Sequence, residues 1–335
     1  MSTSTPSVAQ MVQLRASEHP DRIASVFGAD QLSYAELVRR VRVLAATLRA
    51  EHGIGPGVMV PLLLRRDLDM SVAILAVMVA GGVCVPLDPS HPEARLRFML
   101  EDCGAEVVLS NVDAASEIAG DRRVIDLRTP AVWTGEPLPI GDCADEQVVY
   151  CLYTSGSTGQ PKGVLLKQGG IRNVLLWARE YWRLTEADVL LQKSTFTFDI
   201  SIIEQFLPLI SGARLLVLEA GAERDPAAVR QAIVDHGATI VQFTPSGLAT
   251  YLAVVGEDPM PGVTRCLAAG EPLKPALRDT FFAAVAGCGL FNLYGPTETT
   301  IYATAADVPA SGEITVGAPL PNTTCLLYTP DAADE

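Results

Sequence analysis

Apolar residues along this chain recur in two rhythms. Leu37, Val41, Leu44 and Leu48 follow the spacing of a helix facing a core, with Ser33 placed to cap its start, Glu36 three residues later and Gly53 to end it. Short continuous apolar runs at 58–64, 81–87, 106–110, 189–193, 213–218, 239–243, 265–268 and 290–293 read as strands covered on both faces. Between them, 67–80, 93–102, 170–181, 201–211, 227–236, 246–254 and 274–285 read as helices. This alternation predicts an α/β fold built on parallel strands. Residues 111–146 carry several Pro and Gly and read as a less regular peripheral crossing. No internal repeat or low-complexity linker interrupts the pattern. The most apolar stretch, 72–85, is short for a membrane span and is broken by Gly81-Gly82 and Pro86.

In open α/β sheets ligands bind beyond the carboxyl ends of strands, so polar stretches that follow apolar runs draw attention. The longest is Tyr153-Thr154-Ser155-Gly156-Ser157-Thr158-Gly159-Gln160-Pro161-Lys162-Gly163, between apolar runs at 148–153 and 163–166. Its glycines allow close backbone approach to a ligand, its hydroxyls donate hydrogen bonds, and Lys162 supplies one mobile positive charge. That chemistry suits a polyphosphate. A plain surface loop uses the same small residues for conformational reasons. The order T-S-G-S-T-G-x-P-K-G, tightly flanked by strands, favours the ligand, and the spacing is not that of a Walker A loop.

A second stretch, Leu293-Tyr294-Gly295-Pro296-Thr297-Glu298-Thr299-Thr300, presents a carboxylate among hydroxyls after a strand. One carboxylate with phosphate oxygens and water is a usual way to hold Mg²⁺, and an aromatic at the turn can stack on a purine. The alternative is a helix start, with Thr297 as cap and Glu298 at the positive end. A third stretch, Phe198-Asp199-Ile200-Ser201, sets an acid between apolar neighbours. Asp199 reads either as a helix cap or as a buried carboxylate needing a cationic partner.

Composition narrows the classes. Hydrophobic residues make up 49% and charged residues 19%, the balance of a folded globular chain. A net charge of −14 argues against a nucleic-acid partner. Seven cysteines form no C-x-x-C pair, and four scattered histidines lack zinc-ligand spacing. Reduced, mostly buried thiols in a cytoplasm are the simplest expectation, and no signal peptide is evident in residues 1–13.

Together the first two stretches resemble the signature motifs of the adenylate-forming enzymes: acyl-CoA synthetases, luciferases and the adenylation domains of nonribosomal peptide synthetases. F-D-x-S at 198–201, Leu32 to Leu37, and Ala80 to Pro92 with Arg95 resemble further motifs in the form typical of the peptide synthetases. The last two are expected to be scaffold. The resemblance runs from about residue 8 to about residue 324. It implies a large α/β N-terminal core, residues 1–324, with β-sheets layered between helices.

The resemblance also implies roles. ATP and Mg²⁺ are the expected cofactors. Thr154, Ser155, Gly156, Ser157, Thr158, Gly159 and Lys162 would hold phosphates. Tyr294 would pack on adenine, with Gly270, Glu271, Asn292 and Gly295 around the nucleotide. Thr297 would touch the α-phosphate and Glu298 would bind Mg²⁺. Thr154, Lys162, Thr297 and Glu298 would carry the chemistry. Asp199 would pair with the α-ammonium of an amino acid, which an acyl-CoA or aryl-acid ligase would not require. The specificity pocket falls on Asp199, Ile200, Ile203, Gln242, Leu267, Ala269, Leu293, Ile301 and Tyr302. Its bulky, mostly apolar walls imply a small neutral amino acid, glycine-type first and alanine next.

Two departures qualify the resemblance. Gln168 stands at or near a place where many members have His. The family's small C-terminal subdomain, with its lysine, has no counterpart here, and residues 325–335 resemble translated sequencing-adapter DNA. The expectation is an incomplete core that binds ATP weakly and turns over poorly. In the intact parent, a carrier domain bearing phosphopantetheine would receive the aminoacyl group.

Overall fold

A computed structural model describes residues 5–155 and 160–326. Helix α1 (Val8–Glu18) begins on a capping box in which Ser7 and Gln10 bond reciprocally. The hairpin of β1 (Ile23–Phe27) and β2 (Asp30–Ser33) leads into α2 (Tyr34–His52). Ser33 Oγ accepts the Glu36 N–H at 3.2 Å, and Gly53 closes α2 in the left-handed region, as the spacing predicts. Alternation continues through β3 (Met59–Leu63), α3 (Leu68–Ala80), β4 (Val83–Leu87), α4 (Glu93–Asp102) and β5 (Val107–Ser110).

Residues 111–146 are more ordered than their composition implies. They contain α5 (Ala115–Ala119) and a sheet strand, β6 (Arg123–Asp126), paired in parallel with β5. Next come β7 (Val148–Ser155), β8 (Pro161–Lys167), α6 (Gln168–Tyr181), β9 (Val189–Gln192), α7 (Ile200–Ser211) and β10 (Arg214–Val217). The remainder comprises α8 (Pro226–His236), β11 (Ile240–Phe243), α9 (Pro245–Val255), β12 (Arg265–Ala269), α10 (Pro275–Ala284), β13 (Gly289–Tyr294), β14 (Thr304–Asp307) and β15 (Ala318–Pro319).

The strands form two mixed sheets. The smaller runs β6-β5-β3-β4-β7-β8, parallel except for β8. The larger runs β15-β14-β13-β12-β11-β9-β10-β1-β2; its six central strands are parallel, and β14, β15 and β2 are antiparallel edges.

Side-chain alternation divides the core into layers. Leu267 and Ala269 of β12 join a cluster containing residues of α1, α2, α3, α6 and α7, whereas Cys266 and Ala268 join one with residues of α8, α9 and α10. Likewise Val60 and Leu62 of β3 face the first cluster, and Leu63 faces α4 and α5. The helices of the first cluster therefore lie between the two sheets, with one helical layer outside each. Strands covered on both faces must be apolar throughout, which explains their continuous runs. No helix among the described residues is long and apolar enough to cross a membrane.

Candidate active site

The β7–β8 hairpin carries the first polar stretch. Tyr153 pairs with Gly163, Thr154 with Lys162 and Ser155 with Pro161. The loop tip, Gly156, Ser157, Thr158 and Gly159, lies outside the described residues. Gly163 has a packing reason: a Cβ there would meet Cys151 Sγ at 2.8 Å. Tyr153 anchors the end of β7 by donating its phenol to Asp102 Oδ2 at 2.6 Å. Thr154 is half-buried, and Ser155 and Lys162 are exposed.

The second stretch leaves the end of β13 as a loop returning on β14. Residues Thr297–Thr299 form one 3₁₀ turn and no α-helix, so Thr297 and Glu298 do not open a helix in the way one reading of the sequence allowed. Thr300 and Ile301 then adopt φ of +66° and +70°. Two successive β-branched residues in the left-handed region are strained, and such backbone concentrates at functional sites. Gly295 lets the loop close: a Cβ there would lie 2.5 Å from Ile301 O and 2.8 Å from Ala303 N. Ala303 N donates to Tyr294 O at 2.8 Å.

Asp199 immediately precedes α7, but its side chain makes no capping hydrogen bond. Burial pushes its carboxyl above the ordinary aspartate range, opposed by the hydroxyl of Thr297. The three stretches, distant in sequence, converge here. Thr154, Ser155, Thr197, Phe198, Asp199 and Thr297 all line one cavity of about 350 Å³. His91 and Arg95, in a motif expected to be scaffold, line it too, each with a buried ring or guanidinium nitrogen that has no hydrogen-bond partner among the described residues. Sequence reading passed over them because a loop followed by a helix gives no sign of which way its side chains point.

The residues expected around the substrate lie deeper. Ile203, Gln242, Leu267, Ala269, Leu293, Ile301 and Tyr302 are buried, Ile200 is half-buried, and among this set only Asp199 lines the cavity just described. Strand register brings Gln242 beside Leu267, and Ala269 beside Leu293, facing the central helices. Tyr302 donates its phenol to Gln242 Oε1 at 2.8 Å. Its own ionisation is pushed well up by burial and by the carboxylates of Asp199 and Glu204.

The expected nucleotide residues spread over the sheet's carboxyl edge. Tyr294 is 55% exposed, and Glu298 is exposed. Asn292 donates Nδ2 to Thr315 O at 2.8 Å. Gly270 takes φ +87°, and Glu271 accepts from Ser246 N and Oγ at 2.9 and 2.7 Å. Among the described residues no cluster of three or more His, Cys, Asp or Glu could hold a metal. A lone carboxylate flanked by hydroxyls suits Mg²⁺ only when phosphate oxygens complete the shell, the way that ion is bound in nucleotide sites.

A layered α/β core thus brings hydroxyl-rich loops and one half-buried aspartate together at its strand ends. The AMP-binding enzyme family model matches residues 12–334, and the chain belongs to that family. Among its relatives, tyrocidine synthase 3 of Brevibacillus parabrevis is 37% identical over 337 residues, covering 99% of this chain and 5% of that protein. The nonribosomal peptide synthetase AB3403, solved bound to AMP and glycine, is 30% identical with a TM-score of 0.82, over 94% of this chain and 24% of that one. The N-terminal subdomain of Klebsiella oxytoca NpsA, solved with 3-hydroxyanthranilyl-AMSN, is 25% identical with a TM-score of 0.83, over 94% of this chain and 79% of that one. The fold is thus that of the adenylate-forming N-terminal core, and the chain spans a small fraction of the curated synthetase it matches.

Proposed function

We propose that this site activates an amino acid with ATP, giving aminoacyl-AMP and pyrophosphate. The observation that carries the reading is the cavity shared by the hairpin residues Thr154 and Ser155, by Thr297 and by Asp199. A substrate carboxylate oxygen would attack the α-phosphorus as the bond from that phosphorus to the pyrophosphate oxygen breaks. No covalent nucleophile is needed, because positioning and charge stabilisation supply the acceleration. The hairpin with Lys162 would hold the β- and γ-phosphates, and Thr297 the α-phosphate. Asn292, Tyr294, Gly295, Gly270 and Glu271 would surround the nucleoside. Mg²⁺ held by Glu298 and phosphate oxygens would supply positive charge to the leaving pyrophosphate.

Asp199 would take the α-ammonium. Asp199 is half-buried and desolvation raises its carboxyl, so leaving it without a cation when a ligand closes over it is costly, and a carboxylic acid lacking the amine is disfavoured. The substrate would be small and neutral. The bulky buried side chains of Tyr302 and Gln242, bonded to each other, and the absence of a second charge among the pocket residues support that reading. Likeness to a synthetase solved with AMP and glycine supports the same choice. A downstream carrier domain bearing phosphopantetheine would accept the aminoacyl group.

The size reading is tested by titrating this chain with sulfamoyl-adenosine analogues of all twenty amino acids. The glycyl or alanyl analogue is expected to bind tightest. A large or charged aminoacyl group ranking first, or an aryl or fatty acyl group outranking every amino acid, would contradict it.

A further inference from the structure

Asp199 closes a crossover, residues 193–198, that leads from β9 to α7 and has no regular structure over most of its length. Such a segment cannot hold a carboxylate in one place unless something outside it does so. Glu204, one turn into α7 and fully buried, supplies that restraint. Its Oε2 accepts the backbone N–H of Lys193 at 3.2 Å and of Ser194 at 2.8 Å, and its Oε1 accepts the Ser194 hydroxyl at 2.7 Å. Further bonds secure the same crossover: Ser201 Oγ donates to Phe196 O and Phe198 O at 3.2 and 2.6 Å, and Gln192 Nε2 donates to Ser194 O at 2.9 Å.

A buried carboxylate needs a compensating charge. Lys193 is 8% exposed, and its ammonium stands 3.9 Å from the centroid of the Phe243 ring. Burial alone would raise the carboxyl of Glu204 and lower the ammonium of Lys193, and the attraction between them opposes both shifts. Replacing such a pair by apolar residues of similar volume is often neutral for stability. The three hydrogen bonds from the crossover to the Glu204 carboxylate give that side chain a role in holding it. Glu204 and Asp199 also lie at the first turns of one helix, so a restraint on the crossover is a restraint on Asp199.

We propose that Glu204, by hydrogen-bonding the Lys193–Ser194 backbone and the Ser194 hydroxyl, is a positioning residue that fixes Asp199 for recognition of the substrate ammonium. The inference rests on the reading of Asp199 given above, and the test separates the two.

The preferred aminoacyl analogue from the panel and its des-amino counterpart are titrated into wild-type chain and variants, with AMPPNP as a probe of the nucleotide site alone. Wild type is expected to prefer the ammonium-bearing analogue; equal affinities would contradict the amino-acid reading itself. The double variant Glu204→Leu, Lys193→Met removes both charges at similar volume. It is expected to lose about tenfold of that preference while AMPPNP affinity stays within about twofold. Glu204→Gln keeps an acceptor for both backbone N–H groups and a partner for the Ser194 hydroxyl, so it is expected to retain most of the preference. Should the double variant fail to fold, Ser194→Ala, which removes one of the three contacts, is expected to lose about threefold. A folded double variant that keeps full preference, equal loss of AMPPNP affinity, or an unchanged Ser194→Ala would each overturn the clamp.

Discussion

Gly295→Ala is expected to destabilise the chain by about 3 kcal/mol and to abolish binding of adenylate analogues. The added methyl would meet Ile301 O at 2.5 Å and Tyr302 Cα and Ala303 N at 2.8 Å, all backbone atoms that cannot rotate aside. Relief requires moving residues 301–303. That segment contains Ile301 at φ +70°, carries the phenol bonded to Gln242, and returns to Tyr294 through Ala303. The loop presenting Thr297 and Glu298 would therefore shift with it. Gly55→Ala is the control, since nothing lies within 4 Å of its Cβ position and its φ is ordinary. Its effect should stay within about 0.5 kcal/mol. Urea unfolding followed by circular dichroism reads both, and equal midpoints would show that the loop accommodates the methyl.

Asp199→Asn is expected to have the largest effect on recognition. Removing one partner of a buried charge pair costs about 2 kcal/mol or more, so the preference for an ammonium-bearing analogue over its des-amino counterpart should fall at least about 30-fold. AMPPNP binding should change little. The sign of the stability effect is opposite. Burial raises the Asp199 carboxyl above its ordinary value, so stability linked to this group is fully present below the unfolded pKa and is lost as pH rises through the folded one. Above the folded pKa the ionised side chain is a liability in the unliganded chain, and there Asp199→Asn should raise thermal stability while damaging recognition. A variant both less stable and unchanged in preference would remove Asp199 from the binding role.

Much of this architecture is legible from the residues. The helix at 93–102 matches its apolar spacing, and the capping of α2 follows from Ser33 and Gly53. The hydroxyl-rich hairpin shows itself by the apolar runs at 148–153 and 163–166 that flank it, although β7 and β8 extend past them to Ser155 and Pro161. Other parts had weaker signals. Ser7 and Gln10 form a capping box, a local signal for α1 that the apolar spacing alone does not bring out. Strand β6 is four residues, Arg-Val-Ile-Asp, with charged ends, too short for periodicity to register.

The left-handed turn at Thr300 and Ile301 runs against the preference of β-branched residues, and only tertiary restraint explains it. Glu204 reads in sequence as an ordinary helical acid. Its burial depends on the crossover folding back on it, which no local pattern encodes. The motif containing His91 and Arg95 was legible as a motif, but its contribution to the cavity wall depends on how strand ends from different parts of the chain meet.

The central claim is that the activated substrate is an amino acid. Exchange of labelled pyrophosphate into ATP, measured on the full-length natural polypeptide carrying this sequence, tests it most directly. Glycine and acetate, and alanine and propionate, are compared as pairs differing only in the α-ammonium. The amino acids are expected to drive exchange and the plain acids to leave it at background. Equal exchange within each pair would contradict the claim and return the site to the acyl or aryl ligases.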